Sequence, residues 1–118
     1  MSYKDLIFYQ KSFALCLKVY KVAGNFPGSE LYGLTSQIRR AAVSIPSNIA
    51  EGQRRGNTKE FIQFLYIALG SCAELETQIS LSIELKFIKP DDGKSLLEDV
   101  DEVNRLIYRT IQSLEKKK

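Results

Sequence analysis

Two pairs of arginines, Arg39-Arg40 and Arg54-Arg55, stand fifteen residues apart in the first half of the chain. Guanidinium groups stay charged at every accessible pH and present planar forks of donors that match phosphate oxygens. On one helix the pairs would be separated by about 22 Å at 1.5 Å per residue, a span that suits two or more phosphates of a nucleic-acid backbone. The alternative is ion pairing with Glu51, Glu60 and the acidic C-terminal segment. No aromatic residue stands among the four arginines, so stacking readout of bases is not indicated.

Other chemistry has few carriers. The chain has no histidine, which removes the commonest general base and metal ligand. Neither a GxxxxGK[ST] nor a GxGxxG phosphate loop occurs, nor GxSxG or HExxH. Glu51, Glu60, Glu74 and Glu76 could act as carboxylates, but di-metal bundles use ExxH pairs, which are unavailable here. Glu74 and Glu76, two apart, would not share one helix face. Ser44, Ser47 and Asn48 have no accompanying base; their expected role is local, since Pro46 leaves the Ala42 carbonyl without its usual partner and nearby hydroxyls, amides or water can satisfy it. Cys16 and Cys72 lack CxxC spacing and read as reduced, buried thiols. The expectation is a protein that is not an enzyme and uses no metal or cofactor.

With 118 residues, 44% hydrophobic and 26% charged, the chain has the length and composition of one globular domain spanning 1–118. The longest charge-free apolar stretch, Phe61 to Ala73, is too short for a bilayer, which takes about 20 residues. The N-terminus lacks the pattern of a secretory leader, so no membrane association and a cytoplasmic location are expected. Net charge is +3, unevenly spread: residues 1–24 carry +3, 25–56 carry +2, 57–89 carry −1, 90–115 carry −4 and the tail 116–118 carries +3. A basic first half permits a polyanion-binding face.

The elements that must hold these groups follow from Pro27, Pro46, Pro90 and the glycine clusters, which divide the chain into four segments. A helix over about 4–24 is expected from Leu6, Tyr9, Phe13, Leu17 and Tyr20, ended by a glycine cap at Gly24. A helix over 58–86 opens on Asn57 with Glu60 completing a capping box, and carries Phe61, Leu65, Ala68, Cys72, Leu75, Ile79 and Ile83. A helix over 91–115 follows Pro90, with Asp91 and Asp92 complementing its dipole and Leu96, Val100, Val103, Ile107, Ile111 and Leu114 as its stripe. Segment 34–54 is the hard one. Leu34, Ile38, Ala41, Ala42, Ile45 and Ile49 keep one helical phase straight through Pro46, which predicts a single helix kinked there. Four helices with short connections predict an all-α fold, an antiparallel up-and-down four-helix bundle.

The third helix has more apolar surface than one core seam needs. Ile62, Tyr66, Leu69 and Ala73 form a second face, read as an oligomer interface, with burial by three neighbouring helices as the alternative. A symmetric homo-oligomer is the simplest way to cover it.

The segments FPGSELYGLTSQIRRAAVSIPSNIAEG and EFIQFLYIALGSCAELETQI, with the arginine between them, resemble a known family: the four-helix bundle proteins also called 23S ribosomal RNA intervening-sequence proteins. The resemblance covers well over half the chain and implies a compact antiparallel protomer, a ring-like homopentamer and no enzymatic activity. A similar protein is the accessory variability protein of diversity-generating retroelements, which works with a reverse transcriptase through a basic nucleic-acid-binding surface. The resemblance therefore names RNA or DNA, a reverse transcriptase or a ribosomal component as partners. The combined expectation is a non-enzymatic oligomer that binds nucleic-acid backbone through Arg39, Arg40, Arg54 and Arg55, with a protein-interaction scaffold as the alternative.

Overall fold

The computed structural model describes residues 2–117; Met1, in the stretch read for a leader, and Lys118, the end of the basic tail 116–118, lie outside the described residues. The elements are a 3-10 turn Tyr3–Asp5, α1 (Ile7–Ala23), a second 3-10 turn Gly28–Glu30, α2 (Leu34–Arg54), α3 (Thr58–Glu84) and α4 (Pro90–Lys116). No strand occurs among the described residues. The four helices pack as a bundle in which α1 lies on α2 and α4, and α3 lies on the other side of the same two helices. Its extents of 46 × 23 × 20 Å agree with 27-residue helices of about 40 Å set side by side.

Local chemistry accounts for the ends. The Asn57 side chain accepts from Glu60 N–H at 2.9 Å, and Glu60 in turn takes the Asn57 side-chain amide rather than its backbone N–H. Pro90 occupies the first turn of α4, where no intrahelical N–H is required. α3 stops at Glu84, two residues short of the expected Lys86, because Lys86 adopts a left-handed φ of 67°. The Phe87 N–H then closes on Ser82 C=O at 2.8 Å and the Lys86 N–H on Ile83 C=O at 2.9 Å, a Schellman termination built without glycine. Gly24 caps α1 in a right-handed conformation, φ −62°, so no glycine-specific geometry is used there. α1 begins at Ile7 rather than residue 4, since Ser2 caps a separate 3-10 turn.

α2 runs through Pro46 as one helix, and Pro46 itself is buried. The stripe Leu34, Ile38, Ala41, Ala42, Ile45 and Ile49 lies wholly in the core, as do Leu96, Val100, Val103, Ile107 and Ile111 of α4. For α1 the expected stripe is corrected: Phe8, Ser12, Leu15, Val19 and Ala23 face the core, whereas Phe13 and Leu17 are 50% and 61% exposed. Ser12 is tolerated inside because its hydroxyl donates to Tyr9 C=O at 2.9 Å. Gly52 lets α2 and α3 approach closely, since a Cβ there would sit 2.5 Å from Phe64 Cβ.

Candidate nucleic-acid interface

The arginine pairs divide by environment. Arg39 lies over the Tyr20 ring, 4.9 Å from its centroid, and its Nη2 donates to Tyr20 C=O at 3.1 Å. It thereby serves a carbonyl in the last turn of α1, where a cation is favoured by the helix dipole. Arg55 ends α2 against Glu51 (Nη2 to Oε1, 3.0 Å) and Glu60 (Nη1 to Oε1, 3.8 Å), with its guanidinium 5.0 Å from the Phe64 ring centroid. These two arginines are occupied within the protomer. Arg40 and Arg54 are exposed and make no hydrogen bond or ion pair among the described residues. Arg40 borders a polar hollow of about 330 Å³ between α2 and α3, with Gln37, Ser44, Glu74 and Gln78. Exposed Lys59 follows Arg54 across the α2–α3 turn.

The polar side chains around Pro46 bond to one another and to the Ser44 carbonyl. The Asn48 amide donates to Ser44 C=O at 2.8 Å and to Ser44 Oγ at 2.9 Å, not to the Ala42 carbonyl. Ser44 Oγ and Ser71 Oγ share a 2.7 Å hydrogen bond from α2 to α3, and Ser71 Oγ also reaches Ile67 C=O at 3.2 Å. The polar residues here tie two helices together.

Of the face expected to join subunits, Ile62 is buried in the protomer at 5% exposure, because it packs inside beside Leu65 rather than on the outer surface. Leu69 is half-buried and Ala73 exposed, and Tyr66 is exposed with its hydroxyl donating to Glu115 Oε1 at 2.9 Å. Glu115 holds the Tyr66 phenol above its ordinary value, chiefly through that hydrogen bond. Another apolar surface was missed. Phe13 and Leu17 of α1 meet Val43 and Pro46 of α2 around a groove of about 290 Å³, and Tyr32, ahead of α2, is 94% exposed. The signal for the groove was present in the two apolar stripes of α1.

Burial pushes the Cys72 thiol up to about 12, with Glu76 adding to the effect, and burial also raises Cys16. Glu74 and Glu76 are both exposed. Among the described residues no three His, Cys, Asp or Glu side chains gather as metal ligands, and no helix is long and apolar enough to cross a membrane.

No curated protein matches the chain. Among solved structures, it is similar to a protein of unknown function from the S23 ribosomal protein family of Bacteroides thetaiotaomicron VPI-5482, with 28% identity, a TM-score of 0.80, and coverage of 89% of this chain and 98% of that one. The family model described as 23S rRNA-intervening sequence protein matches residues 4–109. By that match the chain belongs to the 23S rRNA-intervening sequence protein family.

Proposed function

We propose that the protein is a non-enzymatic, cytoplasmic, self-assembling helical bundle that holds RNA or DNA backbone on a basic surface, with Arg40 and Arg54 making the phosphate contacts. Arg39 and Arg55 frame that surface and hold its shape. The observation that carries the reading is the division of labour on α2: two arginines are consumed by Tyr20, Glu51 and Glu60, and two exposed ones are left without a partner among the described residues. Unpaired guanidinium groups on a rigid helix keep their full donor capacity for phosphate. The similar structure's membership of a ribosomal protein family favours RNA over DNA.

The same reading takes the bundle as antiparallel and up-and-down. Lys11 pairs with Glu102 and Lys18 with Asp99, so residue numbers rise along α1 as they fall along α4. Ser44 with Ser71 and Gly52 with Phe64 run in the same opposed sense between α2 and α3. A bend of α2 at Pro46 follows from the N–H that proline lacks. The homopentamer implied by the resemblance to ring-forming bundles is part of the same proposal.

Binding of fluorescent single-stranded and duplex RNA and DNA, titrated at several salt concentrations, tests the proposal. The affinity should fall steeply with salt, and Arg40→Glu with Arg54→Glu should abolish most of it. Absence of any salt-sensitive binding sinks the reading. The exposed apolar face of α1 supports a second reading, a protein-interaction scaffold, for which a partner protein would be retained after nuclease treatment and in the double arginine variant.

A further inference from the structure

We infer that Tyr32 is a knob that inserts into the α1–α2 groove of a second copy of this chain. The inference rests on the self-assembly proposed above and names the contact that produces it. Tyr32 lies in the short connection before α2 and is 94% exposed, a rare state for a large amphipathic ring, which usually keeps its apolar body covered. Neighbouring Leu31 is 50% exposed, so the connection presents a small apolar projection. The groove is its counterpart on the same molecule. Tyr9, Phe13, Leu17, Val43 and Pro46 line it, with Cys16 at its wall and the Ser47 hydroxyl as a polar group. Its volume of about 290 Å³ sits at the lower edge of small-molecule sites, which span roughly 300–1,000 Å³, and suits one bulky side chain.

The amphipathic character matches as well. A ring packed on Phe13, Leu17 and Val43 would leave its phenol needing a partner, and Ser47 offers a hydroxyl at the groove. Within one protomer the contact is out of reach: from the start of α2 to Pro46 the helix rises about 18 Å, well beyond one side chain. Tyr32 can therefore enter this groove only on another copy. Because knob and groove are different patches, the contact is head-to-tail, and repetition closes a ring or extends a filament.

The test uses the full chain. Sedimentation velocity should show wild-type protein assembled, and Tyr32→Ala and Val43→Glu each shifted to smaller species with unchanged helical circular dichroism; both positions are exposed in the protomer, so folding should survive. Tyr32→Phe should retain assembly with weaker affinity, as it lacks only the phenol. Photo-crosslinking from p-benzoylphenylalanine in place of Tyr32 should mark residues 9–17 or 43–50 of another chain. An assembled Tyr32→Ala variant, or crosslinks confined to other surfaces, overturns the inference while leaving self-assembly intact. A monomeric wild type at all concentrations would instead remove self-assembly itself. If Tyr32→Ala assembles normally but loses nucleic-acid binding, the ring is a base-stacking platform and the inference is overturned in favour of that role.

Discussion

Gly52 of α2 faces Phe64 of α3 so closely that a methyl group on Gly52 would lie 2.5 Å from Phe64 Cβ. Phe64 Cβ is anchored to the α3 backbone and cannot swing aside, so Gly52→Ala must separate the helices. Alanine gains about 1 kcal/mol of helix propensity over glycine, while overpacking costs about 1–3 kcal/mol or more. The fixed position of the obstructing atom puts this site at the upper end. A net loss of about 1–2 kcal/mol is expected, read as a lower urea midpoint with an unchanged slope.

Lys86 offers the opposite case. A non-glycine residue in the left-handed region pays about 1–2 kcal/mol, and Lys86 holds φ 67° to close the end of α3. Lys86→Gly removes that penalty and gives back part of it through the greater freedom of the unfolded chain. Stability should rise by about 0.5–1 kcal/mol, visible as a Tm increase of a few degrees.

The two kinds of arginine should separate experimentally. Arg39→Ala loses the contact with the Tyr20 ring and carbonyl and should destabilise the fold by about 1 kcal/mol. Arg40→Ala should leave the Tm unchanged but reduce the slope of log K against log salt for nucleic-acid binding by about 1 per phosphate contact removed. Equal effects of both substitutions on the Tm would contradict the assignment of Arg40 to the ligand.

Cys72 makes stability depend on alkaline pH. Its folded pKa of about 12 lies above an ordinary value of 9.0 because burial disfavours the thiolate. The folded state therefore binds its proton more tightly than the unfolded chain does. The associated stability is fully present below about pH 9 and is lost as pH climbs toward 12, at about 1.4 kcal/mol per unit. Cys72→Ala leaves a small cavity but removes this slope. Urea midpoints measured from pH 8 to 10.5 should show the gap between wild type and Cys72→Ala narrowing as pH rises; parallel curves would mean that the thiol titrates as in free solution. Iodoacetamide at pH 8 should alkylate half-buried Cys16 well before buried Cys72.

How much of this could be read in advance depended on how many faces each helix offered. α2 and α4 have one apolar stripe each, and with 3.6 residues per turn a single stripe has only one way to face a core. That made Ile38, Ile45 and Ile49, and Val100, Ile107 and Ile111, legible as core residues; it also carried α2 through Pro46, because stripe phase is independent of one missing hydrogen bond. Caps were legible for the same local reason: Asn57 and Pro90 act within a single turn.

α1 and α3 were ambiguous from sequence, being apolar on more than one face. In α1 the helical spacing suggested Leu6, Tyr9, Phe13, Leu17 and Tyr20 as the core stripe, but the placement of α2 and α4 selected Phe8, Leu15 and Val19. The same selection buried Ile62 and left Tyr66 outside. The arginines were identical as residue types and adjacent in pairs. Glu51, four residues before Arg55, was a partner legible in the sequence; only the approach of Tyr20 from α1 and Glu60 from α3 decided that Arg39 and Arg55 find partners on neighbouring helices while exposed Arg40 and Arg54 are left unpaired among the described residues. Periodicity is a property of one helix and can be read from its own residues. Which of two faces is buried, and which of two neighbouring charges is neutralised, depends on contacts between helices, and those exist only once the bundle has formed.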